Sequence, residues 1–139
     1  SRKFLQSGLD RTRIQDVDWV SGACLLHRRE LLNDIGPLDE EFFMYFEDVD
    51  FCRRAKQKGW KVQYYPGLRV LHHIAGSSSK FPHRMLIARH QSNWRYYTKY
   101  FKRNLIKDFF IMAGLIARCL IQMMFIPGEN QAEGSLEKS

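Results

Sequence analysis

Two acidic clusters enclosing five large apolar side chains, DEEFFMYFEDVDF from Asp39 to Phe51, constrain this chain more than any other stretch. Six of its fifteen carboxylates fall there, although the 139 residues carry a formal net charge of +7. Phe42, Phe43, Met44, Tyr45 and Phe46 need cover from other parts of a fold, while the flanking acids need water, cations or helix-terminal N–H groups. For Glu47, Asp48 and Asp50 the simplest arrangement is the first turn of a helix, where carboxylates complement the dipole. Phe51, Cys52 and Ala55 then share one face through Lys58, and Gly59 stands where a left-handed cap closes a helix. Asp50 and Arg54, four apart, pair on that helix. Asp48 faces another direction, beside Glu47 and straight after the aromatic run. A carboxyl next to apolar rings loses hydration and tends toward a raised pKa, which suits it to take a proton near neutral pH. A solvated helix start accounts for the same residues, and the window by itself favours that plainer account.

The length suits one domain, and 45% apolar with 14% aromatic residues is enough for a core. The basic balance points to anionic partners without choosing among nucleic acid, lipid head groups and nucleotide diphosphates. Cys24, Cys52 and Cys119 are odd in number and far apart, so they predict reduced thiols, not a disulfide framework or a zinc site. Ser1-Arg2-Lys3 leads into a polar segment, so no signal peptide is expected.

Residues 1 to about 15 read as irregular. Val17–Val20 and Ala23–Leu26 predict short strands, the second buried. A helix is expected from Arg28, with Leu31, Leu32 and Ile35 inward, ending at Gly36-Pro37. Lys61–Tyr65 alternates as a strand, Pro66-Gly67 turns, and Arg69–His72 makes another strand before a loop at Gly76 to Ser79. Pro82 opens a long helix to about Asn104, with Leu86, Trp94, Tyr97 and Phe101 as its stripe. Strands alternating with helices predict an α/β domain.

From Phe109 to Ile126 the chain reads FFIMAGLIARCLIQMMFI. Its 18 residues approach the roughly 20 needed to span a bilayer. Arg118 near the middle opposes spanning, at about 2.5–3.5 kcal/mol. Gly114, Arg118 and Gln122 line one polar stripe, and Lys99, Lys102, Arg103 and Lys107 come just before. A helix lying in a membrane surface fits both features; a helix packed on the domain, with Arg118 ion-paired, is the other reading. Residues 128–139 read as a disordered tail.

His72-His73 ends a strand beside a Gly/Ser loop, a common setting for a ligand or catalytic group, and imidazole binds divalent metals. A packed histidine is the plainer account of either alone.

Taken in order, Gly22-Ala23, Arg28-Arg29, Ile35-Gly36, Leu38-Asp39-Glu40, Phe42-Phe43, Glu47-Asp48-Val49-Asp50, Arg54, Gly59, Pro66, His72 and Ser77 resemble the C-terminal half of the catalytic domain of family 2 glycosyltransferases, rhamnosyltransferase-like members above all. The resemblance covers residues 17 to 79 and runs more loosely to about 105. It implies an α/β, partial GT-A fold with C-terminal helices, a nucleotide-sugar donor, a saccharide or lipid-linked acceptor, and a divalent metal (Mg or Mn). It implies inversion at the anomeric carbon, with Asp48 as the base that deprotonates the acceptor hydroxyl. Glu47, Trp19, Gly22, Asp39 and Arg54 would form the acceptor side, His72 would hold the metal, and Ser77 would meet the donor diphosphate. The apolar run would wall the base from water.

The family's first half, with its nucleotide contacts and metal-binding D-x-D, has no counterpart here. Asp16-Val17-Asp18 and Asp48-Val49-Asp50 match that string but sit at positions of other features. The expected organisation is therefore an acceptor-side part over residues 1–105, an apolar or amphipathic helix over 106–127 and a tail over 128–139, completed by a missing N-terminal half. The expected location is the cytosolic face of the cell membrane. A non-catalytic, membrane-associated remnant of the fold is the alternative. Nucleic-acid binding through RHQSNWRYYTKYFKR is a third, disfavoured because its aromatics recur at the spacing of a buried helix stripe.

Overall fold

The computed structural model describes residues 8–72 and 81–126. Contacts divide the chain into two units, Ser1–Glu41 with Phe46–His72, and Phe42–Tyr45 with His73–Ser139.

The first unit contains strand β1 (Gln15–Asp16), a 3-10 turn (Gly22–Cys24), helices α1 (Arg29–Ile35) and α2 (Glu47–Gln57), and strand β2 (Gln63–Tyr64). Helix α1 stops because Gly36 adopts φ +73, where glycine has no Cβ to clash, and its N–H bonds the Leu32 carbonyl at 2.8 Å. Gly59, at φ +84, ends α2 in the same manner. The buried face of α2 is the expected one. Phe51, Cys52 and Ala55 lie at 2–3% exposure and pack with Val17, Leu31 and Val62, while Trp19, Ile35 and Trp60 close the cluster's edge. Each such large side chain contributes about 1.5–3 kcal/mol through burial.

A second tie is polar. Asp50 is fully buried, and Arg54 Nε donates to its Oδ2 at 2.8 Å. The same guanidinium reaches the carbonyls of Ile35 and, at 2.7 Å, Pro37. One arginine thus satisfies a buried carboxylate and fastens the end of α1 to α2.

The strands depart from expectation. β1 and β2 form a two-residue antiparallel ribbon, Gln15 opposite Tyr64 and Asp16 opposite Gln63, extended by Val17 N–H to Val62 O at 2.9 Å. Val17–Val20 lies mostly beyond it. Ala23–Leu26 is no buried strand: Ala23 and Cys24 belong to the exposed 3-10 turn, which Ser21 caps by accepting the Ala23 N–H on its hydroxyl. Arg69–His72 is exposed and irregular. A β-ladder satisfies backbone groups only against a neighbour, and the described residues offer this segment none. The architecture is accordingly helix-rich with a small ribbon, compatible with part of an α/β fold.

The second unit is a helical pair, α3 (Pro82–Tyr100) and α4 (Leu105–Met124), joined by four residues. Pro82 sits at the first turn of α3, where its missing N–H costs nothing. Asn104 caps α4, its Oδ1 accepting from the N–H groups of Ile106 and Lys107 at 3.1 and 3.2 Å. Buried Asp108 accepts from Tyr97 Oη at 2.8 Å and Arg103 Nε at 2.6 Å, locking the two helices across their link. The Arg103 hydrogen bond holds the Asp108 carboxyl below the usual aspartate range, and the bond to Asp108 pushes the Tyr97 hydroxyl up. Phe42–Tyr45 belongs to this unit: Ser92 Oγ donates to the Met44 carbonyl at 2.7 Å, and Lys99 lies over the Phe42 ring. The stripe on α3 is shifted from the expected one, with Ala88 and Ser92 the buried positions and Phe101 51% exposed. Both buried positions are small side chains, and Tyr97 stacks on Phe101. The tail over 128–139 lies outside the described residues.

Candidate functional site

The site grows from the start of α2. Tyr45 and Phe46 hold φ of +68 and +69, a left-handed conformation that costs a residue with a Cβ about 1–2 kcal/mol. Phe46 is the residue before the helix and supplies no side-chain cap. Capping falls instead to acids within the first turn: Asp48 Oδ1 accepts the Val49 N–H at 2.8 Å.

The other oxygen reaches further. Asp48 Oδ2 accepts the backbone N–H of Gly22 at 2.9 Å, across 26 positions of sequence. The 3-10 turn that aims this N–H is the one capped by Ser21, a residue the sequence reasoning passed over; serine before a Gly-Ala pair is a recognisable capping signal. A Cβ on Gly22 would stand 3.6 Å from Asp48 Cβ, so glycine lets the turn come close without being demanded by space. Two backbone donors orient the carboxylate, and each oxygen retains a second lone-pair direction for a ligand.

Glu47 is half-buried, and its Oε2 is enclosed without a hydrogen-bond partner. Burial pushes the Glu47 carboxyl up from its ordinary value, opposed by a bond to its own backbone and helped by the Asp48 charge beside it. A carboxyl in this condition holds a proton more readily and can donate a hydrogen bond when protonated.

The remaining expected site residues fare differently. Trp19 is half-buried and packs on the core of the first unit. Asp39 closes a local turn by accepting the Glu41 N–H at 3.0 Å. Arg54, expected on the acceptor side, is occupied by Asp50 and the carbonyls of Ile35 and Pro37; its fork geometry suits that framework role. His72 is exposed on the irregular segment. Among the described residues, no three His, Cys, Asp or Glu side chains come together as a metal would require, so the donor set does not fit a metal centre on its own. Ser77 lies outside the described residues. An open cavity of about 240 Å³ in the first unit, bordered by Leu25, His27, Phe51 and Trp60, includes neither Glu47 nor Asp48. The cysteines are free, and burial pushes the Cys52 thiol up, as expected of a packing residue.

Residues 5–105 match the family described as glycosyltransferase like family 2, and the chain belongs to that family, whose fold is that of nucleotide-sugar transferases. It is rhamnosyltransferase-like. Over 78 residues it is 45% identical to an N-acetylglucosaminyl-diphospho-decaprenol L-rhamnosyltransferase of Mycobacterium tuberculosis, covering 56% of this chain and 25% of that protein. It is 27% identical over 97 residues to the rhamnosyltransferase WbbL of Escherichia coli, 64% of this chain and 37% of that one. A low-salt glycan biosynthesis hexosyltransferase, Agl10 of Haloferax volcanii, is 28% identical over 68 residues, 49% of this chain and 22% of its own. The chain therefore spans between about a fifth and two-fifths of these relatives' lengths. No solved structure matches it.

Proposed function

We propose that these residues form the acceptor side of an inverting glycosyltransferase that moves a sugar from a nucleotide-sugar donor to a saccharide or lipid-linked hydroxyl. The observation that carries this is the hydrogen bond between Gly22 N–H and Asp48 Oδ2, which joins two separated motif elements and fixes a carboxylate with free lone pairs. In the reaction, Asp48 takes the proton of the acceptor hydroxyl as its oxygen forms a bond to the anomeric carbon. The bond from that carbon to the donor diphosphate breaks, and the electron pair leaves with the diphosphate. Attack from the face opposite the leaving group inverts the centre. Glu47, with its raised pKa and an oxygen that no protein donor meets, orients the acceptor by hydrogen bonding.

Similarity to a decaprenol-linked rhamnosyltransferase and a glycan hexosyltransferase supports a rhamnose or other hexose donor and a lipid-linked glycan acceptor. A divalent metal completes the proposal and, when bound, would supply positive charge at the donor diphosphate. His72 is one candidate ligand, and further carboxylates would have to come from outside the described residues. Donor binding would similarly be completed by a nucleotide-binding half.

The test is complementation. The chain is supplied with the nucleotide-binding half of a rhamnosyltransferase relative, a nucleotide-activated rhamnose and an acceptor. Metal-dependent transfer that disappears with Asp48→Asn supports the proposal. Undiminished transfer by that variant refutes the base. A chain that folds but neither transfers nor hydrolyses donor in the complemented complex favours the non-catalytic remnant.

A further inference from the structure

The positive charge of the chain is segregated between its units. Among the described residues of the first unit, ten arginines and lysines face eleven carboxylates. In the second, eight stand against one, and that one, Asp108, is buried and bound to Arg103. The formal excess of the described residues therefore belongs to the helical pair.

The same unit exposes most of one helix. On α4, Ile106, Phe109, Ile116, Leu120, Ile121 and Met124 are each between 52 and 83% exposed. At 100° per residue these positions, with Ala113 and Ala117 between them, occupy a continuous outward arc of about 140°. Asp108, Leu115, Cys119 and Gln122, on the opposite side, are buried or half-buried. Lys107 and Arg118, both exposed, fall together at one border of the apolar arc, and Lys102 lies in the link before it. No described helix is long and apolar enough to cross a membrane.

We infer that α4 lies in the surface of an anionic lipid bilayer, its outward arc in the acyl boundary and Lys102, Lys107 and Arg118 at the phosphates. Charge complementarity selects this occupant: an apolar arc edged by cations, on a helical pair whose described residues include one acid, and that one buried, matches hydrocarbon bordered by anionic head groups. Arg118 needs no ion-pair partner there, because its aliphatic stem follows the helix surface and raises the guanidinium to the head groups. The inference is independent of the proposed chemistry, and its test uses no sugar donor.

The chain is sedimented with phosphatidylcholine vesicles, with and without phosphatidylglycerol. Binding to the anionic vesicles, weakened by salt and weak on phosphatidylcholine alone, is the expected result. Lys102→Ala with Lys107→Ala should lower partitioning about twenty-five-fold, at a loss of about fivefold for each basic residue near the surface. Phe109→Asp with Leu120→Asp, both at exposed positions, should abolish binding while circular dichroism stays unchanged. Absence of binding to anionic vesicles overturns the inference. So does a concentration-dependent dimer that Leu120→Asp dissolves in a chain that ignores vesicles, since the arc would then be covered by a second copy.

Discussion

The two units use their carboxylates in opposite ways. Among the described residues of the first, eleven carboxylates face ten basic side chains, and three are built into the fold: Asp50 is buried beneath Arg54, Asp48 holds the Gly22 turn, and Glu47 encloses an oxygen that no donor meets. Among the described residues of the second, a single carboxylate serves as a bolt between two helices, and the other charged side chains are cationic. The difference separates a place where protons can be handled from a place suited to contact an anionic surface. Apolar side chains divide similarly, gathered inward around Phe51 in one unit and outward along α4 in the other.

The sharpest way to break this contrast is at Asp48. In the complemented enzyme Asp48→Asn should reduce transfer by about 10²–10⁴-fold, the usual contribution of a general base, with thermal unfolding unchanged. A comparable loss from any carboxylate change in the helical unit would erase the distinction.

Next in size is Arg54→Ala. It removes the arginine that pairs with buried Asp50, so denaturant titration should show the first unit destabilised by about 3–5 kcal/mol. A loss below about 1 kcal/mol would return Arg54 to the acceptor side.

Asn104→Ala removes the cap of α4 and should cost about 1 kcal/mol, visible as lower helicity on heating. It should leave the Gly22–Asp48 contact, and therefore transfer, intact.

The smallest effects are in pH. Glu47 has a raised folded pKa, so the folded state binds its proton more tightly than the unfolded chain does. Stability of the first unit should therefore fall as pH rises from the ordinary glutamate value of 4.5 through the folded one, and Glu47→Gln should flatten that slope. Asp108 has a lowered folded pKa. The contribution of its pairing is complete above the ordinary aspartate value of 3.8 and is lost as pH falls through the lower folded value. Circular dichroism melts across acid pH would show opposite slopes for Glu47→Gln and Asp108→Asn relative to the parent chain.

Punctuation was the most legible part of the sequence. Gly36 and Gly59 end their helices at positive φ because glycine alone adopts it without strain, and the i, i+4 spacing of Asp50 and Arg54 announced their pair. Strands were least legible. Runs such as Ala23–Leu26 and Arg69–His72 are apolar enough for a sheet, but periodicity cannot supply the neighbour that a ladder needs. Gly22 and Asp48 were each singled out by an ordered motif set that spans both, but the hydrogen bond between them was not legible in it. The grip of Arg54 on two carbonyls, the turn cap at Ser21 and the enclosed, unpartnered oxygen of Glu47 depend on tertiary placement, which spacing does not encode.

Phe42–Tyr45 carries one more consequence. These four residues pack with the helical pair although the chain on either side of them belongs to the other unit. A protease nick between His72 and Phe81 would cut the polypeptide without freeing the two fragments. The N-terminal piece would still carry the Met44 carbonyl that Ser92 clasps and the ring under Lys99.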